Sequence, residues 1–127
     1  MRFQLALNVD NLERAIEYYG KLFNAKVNKR KPGYANFAID EPPLKLVLFE
    51  APGASERLNH LGVELLTDEH VDAAIDRLEA NGLATQVNRE EQCCWADKKT
   101  VWSEDPQGMR WEWYKVEADL EKFGKGV

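Results

Sequence analysis

The sequence predicts an α+β protein built from two βαβββ modules. Three observations predict this fold class: short segments in which apolar and polar residues alternate, two segments with helical spacing of apolar residues, and the same order of these segments in both halves. With 127 residues and 44% hydrophobic residues, the chain is long enough to bury one core. We therefore expect one domain over residues 1–127.

The first module is expected over about residues 1–50 and begins with a strand and a helix. Residues 3–9 alternate as a strand covered on one face, and Asp10 or Asn11 can cap the following helix. Six apolar residues of this helix should cover the strand: Leu12, Ala15, Ile16, Tyr19, Leu22 and Phe23. Turn signals at Pro32-Gly33 and Pro42-Pro43 then divide three expected strands, at 26–29, 34–39 and 44–50.

The second module repeats this order after a linker at 51–57 and extends over about 58–116, before a C-terminal tail at 117–127. Its first strand is expected at 58–65, and Thr67 or Asp68 can cap its helix. Four residues should form the buried stripe of this helix: Val71, Ala74, Ile75 and Leu78. The helix should end at Asn81-Gly82, where glycine can adopt the left-handed conformation. Strands are expected near 83–88, 93–102 and 109–116.

Charge and composition restrict the possible partners. The formal net charge of -5 argues against a nucleic-acid backbone, which requires concentrated Lys and Arg. No segment approaches the roughly 20 apolar residues of a membrane helix, and the first ten residues do not resemble a signal peptide. The two cysteines are adjacent, so an ordinary disulfide framework is excluded and reduced thiols are expected. We expect a cytoplasmic protein that binds neither nucleic acid nor membrane.

Three polar side chains are expected to converge from three strands. If Phe3, Leu5 and Leu7 point to the first helix, Gln4 lies on the opposite face of its strand. The same alternation places His60 opposite Leu61 and Val63, and Glu112 opposite Trp111 and Trp113. These positions match between the two modules, which favours a shared site for Gln4, His60 and Glu112.

An amide oxygen, an imidazole and a carboxylate form an N,O ligand set that suits Fe(II), Mn(II) or a similar divalent ion. Each residue alone would more often be an ordinary polar side chain, and only the joint placement favours a metal site. Val47 occupies the position that corresponds to Glu112 in the first module, so a fourth protein ligand is not expected there. His70, in the first turn of the second helix, is interpreted as solvated.

A second candidate site is the adjacent pair Cys93 and Cys94. Neighbouring side chains on a regular strand face opposite ways, so both thiols can act together only at a bulge, a strand end or a mobile loop. One buried and one exposed structural thiol is an equally good interpretation of the dipeptide alone. Two thiolates on one side would chelate a soft ion such as trivalent arsenic or cadmium.

These features together resemble the vicinal oxygen chelate superfamily of glyoxalases, bleomycin resistance proteins and extradiol dioxygenases. The closest resemblance is to the family of cadmium-induced proteins and organoarsenical carbon-arsenic lyases, and it covers nearly the whole chain. The segments that carry it are residues 9–12, 29–38, 42–48 and 58–64 and Cys93-Cys94, whereas the turn at 105–108 before Trp111-Glu112 supports the superfamily resemblance. The resemblance implies that the two modules form a half-open barrel.

The resemblance also implies a function. An enzyme of this family is an Fe(II)-dependent dioxygenase that cleaves the carbon-arsenic bond of trivalent organoarsenicals, such as methylarsenite and trivalent aromatic arsenicals, and releases arsenite. By position, Gln4, His60 and Glu112 would be the catalytic metal ligands, and Cys93 and Cys94 would bind the arsenic of the substrate. The small-molecule partners would be an organoarsenical and dioxygen.

Two other functions stay open from the sequence. One is another enzyme of the superfamily, although neither a glyoxalase nor a fosfomycin-type transferase would explain the adjacent thiols. The other is a resistance protein that binds cadmium or arsenite without catalysis. The sequence assigns no role to Lys98 or Lys99. Superfamily chains with two modules can exchange them in homodimers, so Gln4 could serve its own subunit or a partner.

Overall fold

The computed structural model describes residues 1–92 and 96–119 of the chain. The elements follow in the order βαβββ and then βαβββ, as the sequence predicts. The chain divides into two compact units, an N-terminal unit of Arg2–Leu61 and a C-terminal unit of Met1 with Gly62–Val127. Strand β5, Leu58–Glu64, crosses from the first unit into the second.

The N-terminal unit contains one helix and strands β1 to β4, together with the first half of β5. Their bounds are β1 Arg2–Val9, α1 Leu12–Phe23, β2 Lys29–Lys31, β3 Tyr34–Ile39 and β4 Leu44–Glu50. The hydrogen-bonded order of the strands is β2-β3-β4-β1-β5. Strands β1 and β4 are parallel, whereas β3 is antiparallel to both β2 and β4. The helix therefore serves as the crossover between strands that pair side by side.

Helix α1 begins where the sequence predicts and packs on this sheet. Asn11 is the N-cap, and its side chain accepts a hydrogen bond from the Arg14 amide at 3.0 Å. The Glu50 carboxylate accepts a second bond from the Leu12 amide at 2.9 Å. The buried core of the unit consists of Leu12, Ala35, Phe37, Ile39, Leu46 and Leu48. The first turn of the helix is thus joined to the end of β4.

Three expectations for this unit were wrong. Leu22 is 55% exposed and Phe3 is 43% exposed, although both were expected in the core. At 3.6 residues per turn, Leu22 lies about 80° from the centre of the buried stripe. Strand β2 occupies Lys29–Lys31 rather than 26–29, because Lys31 pairs with Tyr34 directly across the Pro32-Gly33 turn.

The C-terminal unit repeats the pattern with one helix and three further strands. Their bounds are α2 Asp68–Ala80, β6 Ala84–Gln92, β7 Ala96–Glu104 and β8 Arg110–Asp119. The hydrogen-bonded order is β5-β8-β7-β6, with β7 antiparallel to both of its neighbours. Strands β6 and β8 extend further than the sequence predicts. They end at Gln92 and Asp119 rather than at 88 and 116.

Helix α2 has the predicted cap, stripe and end. Thr67 accepts a hydrogen bond from the His70 amide at 3.1 Å, and Gly82 has a φ of 70°, in the left-handed region. The buried core of this unit consists of Leu65, Val71, Ala74, Ile75, Leu78 and Val101. Neither helix in the described part of the chain is long and apolar enough to cross a membrane.

The buried stripe of α2 should dominate the stability of its unit. We expect Ile75→Ala to lower the free energy of unfolding by about 2–5 kcal/mol, because Ile75 is fully buried and a cavity would remain. The matched control is Leu22→Ala on α1, with an expected loss below about 0.5 kcal/mol because that side chain is exposed. Urea unfolding measures both, and equal losses would contradict the assignment of these two helix faces.

Candidate metal centre

The N-terminal unit brings two of the three predicted metal ligands into contact. Gln4 lies on β1 and His60 on β5, and these strands are neighbours in the sheet. Gln4 is 3% exposed and His60 is 7% exposed. The Nε2 atoms of the two side chains are 3.0 Å apart, within hydrogen-bond distance. The alternation of β1 and β5 therefore buries this polar pair together.

The second ring nitrogen of His60 also has a defined partner. His60 Nδ1 lies 2.7 Å from Oδ1 of Asn59. Because an amide oxygen only accepts, this contact requires a proton on Nδ1. The neutral ring then carries its lone pair on Nε2, and the Gln4 amide nitrogen donates to it. This is the tautomer that binds a metal ion through Nε2.

An aromatic wall lies beside His60 in the same unit. The centre of the Phe49 ring is 6.4 Å from that of His60, and Tyr34 packs edge-on against Phe49 at 5.5 Å. Tyr34 accepts a hydrogen bond from the buried Asn36 amide at 2.8 Å through its hydroxyl. Val47 is 5% exposed and pairs in register with Ala6, two positions after Gln4. One side of His60 is thus lined by an aromatic ring.

The third predicted ligand, Glu112, lies on β8 in the C-terminal unit. Its side chain is only 2% exposed, and its Oε2 accepts a hydrogen bond from Thr100 Oγ1 at 3.2 Å. Thr100 and Glu112 are diagonal neighbours, since Thr100 pairs in register with Tyr114 and Trp102 with Glu112. A carboxylate buried to this degree requires polar partners or a bound cation.

The turn before β8 sets the position of Glu112 along its strand. Asp105 Oδ1 accepts hydrogen bonds from the amides of Gln107 and Met109, at 2.8 and 2.9 Å. Gly108 has a φ of 88°, a conformation that glycine adopts without steric cost. This closed turn defines where β8 starts, and alternation from that point gives Glu112 a buried side chain.

The remaining residues considered in the sequence are the two cysteines, His70 and Lys99. Cys93 and Cys94 lie outside the described residues, between the end of β6 at Gln92 and the start of β7 at Ala96. His70 is exposed on α2, as expected. The Lys99 ammonium lies 3.2 Å from Asp72 and 3.8 Å from Asp68, so it forms ion pairs with helix α2.

Within the described residues, no group of three or more His, Cys, Asp and Glu side chains is close enough to hold a metal ion. The expected ligand set contains only two residues of those types, because the third is the amide Gln4. Amide oxygen, imidazole nitrogen and carboxylate oxygen are the donors that Mn(II) and Fe(II) accept, so the residue types fit such an ion. The three-residue site stays a prediction.

Sequence reasoning missed Asn59 and Thr100, the partners of His60 and Glu112. Strand alternation places Asn59 on the opposite face from His60, yet its amide reaches the ring edge. Each residue carried a signal, however. A metal-binding histidine needs an acceptor for its second nitrogen, and Asn59 is adjacent in sequence. Thr100 is a hydroxyl residue in a strand that pairs with the strand of Glu112.

Comparison with known proteins identifies the class to which this fold belongs. Residues 3–113 match the sequence profile of the Glyoxalase/Bleomycin resistance protein/Dioxygenase superfamily. Among solved structures, the Mn(II)-bound glyoxalase from Novosphingobium aromaticivorans superimposes with a TM-score of 0.67 at 16% identity. That match covers 91% of this chain and 38% of the glyoxalase. At this identity it supports the fold alone, and the predicted fold class is confirmed.

Two relatives narrow the family. The cadmium-induced protein CadI of Mycobacterium tuberculosis (strain ATCC 25618 / H37Rv) is 57% identical over 98% of this chain and 82% of CadI. A trivalent organoarsenical cleaving enzyme of Thermomonospora curvata is 48% identical over 98% of this chain and 83% of that enzyme. The chain belongs to the Glyoxalase/Bleomycin resistance protein/Dioxygenase superfamily, and within it to the family of these two proteins.

The hydrogen bond from Thr100 to Glu112 should contribute measurably to stability. We expect Thr100→Val to lower the free energy of unfolding by about 1–3 kcal/mol, because a near-isosteric change weakens the solvation of a buried carboxylate. Thr85→Val, at an exposed position of β6, is the matched control and should change it by less than about 0.5 kcal/mol. Urea unfolding measures both. Equal effects would show that the hydroxyl contributes nothing to holding Glu112.

Proposed function

We propose that the protein is an Fe(II)-dependent dioxygenase that cleaves the carbon-arsenic bond of trivalent organoarsenicals and releases arsenite. The observation that carries this proposal is the buried contact of Gln4 with His60 Nε2 at 3.0 Å, on the ring atom that would bind the metal. Membership of a family that contains a trivalent organoarsenical cleaving enzyme supports the substrate class.

In the proposed site, Gln4 Oε1, His60 Nε2 and Glu112 hold one divalent ion. The Gln4 amide would have to rotate to present its oxygen, since its nitrogen is the atom that contacts His60. A superfamily relative binds Mn(II), and Fe(II) is proposed here because dioxygen is a reactant. When bound, Fe(II) supplies the one-electron chemistry that dioxygen requires. Three protein ligands leave coordination positions for small molecules.

Cys93 and Cys94 are proposed to hold the substrate through its arsenic. Two thiols displace the two hydroxyls of methylarsenite as water and form two sulfur-arsenic bonds, without any change of oxidation state. The clamp fixes the organic group near the metal, which converts a bimolecular encounter into a positioned reaction. Soft thiolates select arsenic over the hard oxygen groups of cellular metabolites.

The proposed overall reaction conserves both atoms and electrons. Methylarsenite, CH3As(OH)2, and O2 give As(OH)3 and formaldehyde, CH2O. The carbon-arsenic bond breaks, one oxygen atom ends on carbon, and the other ends on arsenic. Carbon loses four electrons and dioxygen gains four, while arsenic stays trivalent, so this stoichiometry needs no external reductant.

The predicted cytoplasmic location and homodimer stay predictions.

A thiol protein that only sequesters cadmium or arsenite would not need the Gln4 and His60 pair. Burying two polar side chains costs free energy unless they bond to each other or to a ligand. A sequestering protein would be equally stable with apolar residues at both positions. We therefore propose a catalytic function rather than sequestration.

The metal and the substrate should be separable by mutation. Glu112→Ala should abolish metal binding and turnover but retain methylarsenite on the thiols, because the carboxylate is the only charged ligand of the proposed set. The double variant Cys93→Ser with Cys94→Ser should show the reverse, with metal retained and methylarsenite lost. Elemental analysis measures bound metal and arsenic separately, and an arsenite assay measures turnover.

The matched control for this pair is Glu104→Ala, which removes an exposed carboxylate from the neighbouring strand β7. It should leave metal binding, arsenic binding and turnover unchanged. If Glu112→Ala retained a full complement of metal, the proposed ligand set would be wrong. If the serine variant released arsenite at the normal rate, the thiol clamp would be wrong.

Dioxygen consumption separates catalysis from sequestration. Protein purified without oxygen should contain about one iron per chain, as a single three-ligand site requires. With methylarsenite, the protein should then consume oxygen and release arsenite and formaldehyde in equal amounts. Removal of iron with a chelator should stop oxygen uptake, and Fe(II) should restore it. Arsenic binding without any oxygen uptake would instead support a sequestering protein.

A further inference from the structure

A line of hydrogen bonds reaches the His60 ring from the side opposite Gln4. The Asn8 amide nitrogen donates to the Glu56 carbonyl oxygen at 3.0 Å, and Asn8 Oδ1 lies 3.0 Å from the Asn59 amide nitrogen. Asn59 Oδ1 in turn lies 2.7 Å from His60 Nδ1. All four residues belong to the N-terminal unit.

The direction of every bond in this line follows from its first member. A backbone carbonyl only accepts hydrogen bonds, so the Asn8 amide must turn its nitrogen to Glu56 and its oxygen to Asn59. Asn59 must then present nitrogen to Asn8 and oxygen to the ring. The Asn59 oxygen receives a hydrogen bond only if His60 Nδ1 carries a proton. The lone pair of the neutral ring is therefore on Nε2, where Gln4 contacts it.

The ring is also restrained in rotation. The centre of the Phe49 ring lies 6.4 Å from that of His60, with an angle of 45° between the two planes, and Tyr34 packs edge-on against Phe49 at 5.5 Å. A rotation that exchanged the two ring edges would break the short bond to Asn59. The lone pair is thus held in a fixed direction before any metal arrives.

We propose that Asn59 is a positioning residue that holds His60 in its metal-binding tautomer, with Asn8 orienting Asn59. The metal-binding part of this inference rests on the proposed function, whereas the tautomer follows from the hydrogen bonds of the chain itself. Partners of ligating histidines typically contribute 10-fold to 100-fold to metal affinity because they fix the tautomer and direction of the ring. Asn59 does so through a neutral amide, which adds no charge next to the site.

Two substitutions of Asn59 separate this role from a purely structural one. Asn59→Leu has a similar size but removes the acceptor for Nδ1, and Asn59→Asp keeps an oxygen acceptor at that place. Asn28→Leu is the matched control in the same unit. It removes an asparagine whose side chain donates to Asn36 Oδ1 at 2.9 Å, outside the line that leads to the imidazole.

The first readout is the imidazole 15N spectrum of metal-free protein, at a pH about two units above the usual histidine pKa of about 6.5. The chain has two histidines, and His70→Gln identifies the signals of His60. We expect His60 to carry its proton on Nδ1 in the unchanged chain, in Asn59→Asp and in Asn28→Leu. In Asn59→Leu, the form protonated on Nε2 should become populated.

The second readout is the affinity for Fe(II) or Co(II), titrated without oxygen. Asn59→Leu should weaken binding by about 10-fold to 100-fold. Asn59→Asp should bind more like the unchanged chain than like Asn59→Leu, and Asn28→Leu should bind normally. Rescue by aspartate would show that the acceptor at Nδ1 matters, rather than the packing of the side chain.

Several outcomes would overturn the inference. His60 protonated on Nε2 in the unchanged chain would refute it, as would normal metal affinity in Asn59→Leu. If Asn59→Leu does not fold, the same spectrum of Asn8→Ala tests the inference. Without Asn8 the Asn59 amide is free to turn, so the tautomer protonated on Nε2 should become populated. An unchanged spectrum would contradict the proposed line of hydrogen bonds. Failure of the unchanged chain to bind metal would refute the positioning role together with the proposed function, whereas a wrong tautomer in a metal-binding chain would refute the inference alone.

Discussion

The buried contact between Gln4 and His60 is the constraint on which the interpretation of this molecule depends. Two polar side chains with less than a tenth of their surface exposed must bond, because an unsatisfied buried donor or acceptor costs about 1–3 kcal/mol. The contact requires β1 and β5 to be neighbours in the correct register. The pairing of β1 with β5 is thus needed both for the sheet of the N-terminal unit and for its candidate chemistry.

Much of this arrangement could be predicted because it depends on short-range rules. Alternation along β1 separates Gln4 from the core residues Leu5 and Leu7, and the same rule on β8 separates Glu112 from Trp113. The caps at Asn11 and Thr67 follow from side chains that satisfy the first amides of a helix. These signals lie within a few residues of the feature that they predict.

Other features depend on partners distant in sequence. Leu22 lies at the edge of the apolar stripe of α1, and how much of that edge is covered depends on tertiary packing rather than on helical spacing alone. The donor to Glu112 is Thr100, twelve residues away on a paired strand, so register had to be known first. Asn59 was missed for a different reason. Alternation predicts the face of the strand on which a side chain lies, but it does not predict that the Asn59 amide can reach the edge of a neighbouring ring.

In the proposed site, the predicted ligands from the two units would differ in charge. Gln4 and His60 in the N-terminal unit would be neutral ligands, and the line from Glu56 through Asn59 places no carboxylate beside the histidine. Glu112 in the C-terminal unit would then be the only anionic metal ligand, so a divalent ion bound by the proposed set would keep a net positive charge. A positive centre attracts an electron-rich oxygen of a small molecule into its remaining positions. A second carboxylate in place of Asn59 or Gln4 would weaken that attraction, which gives a physical reason for amides at both places.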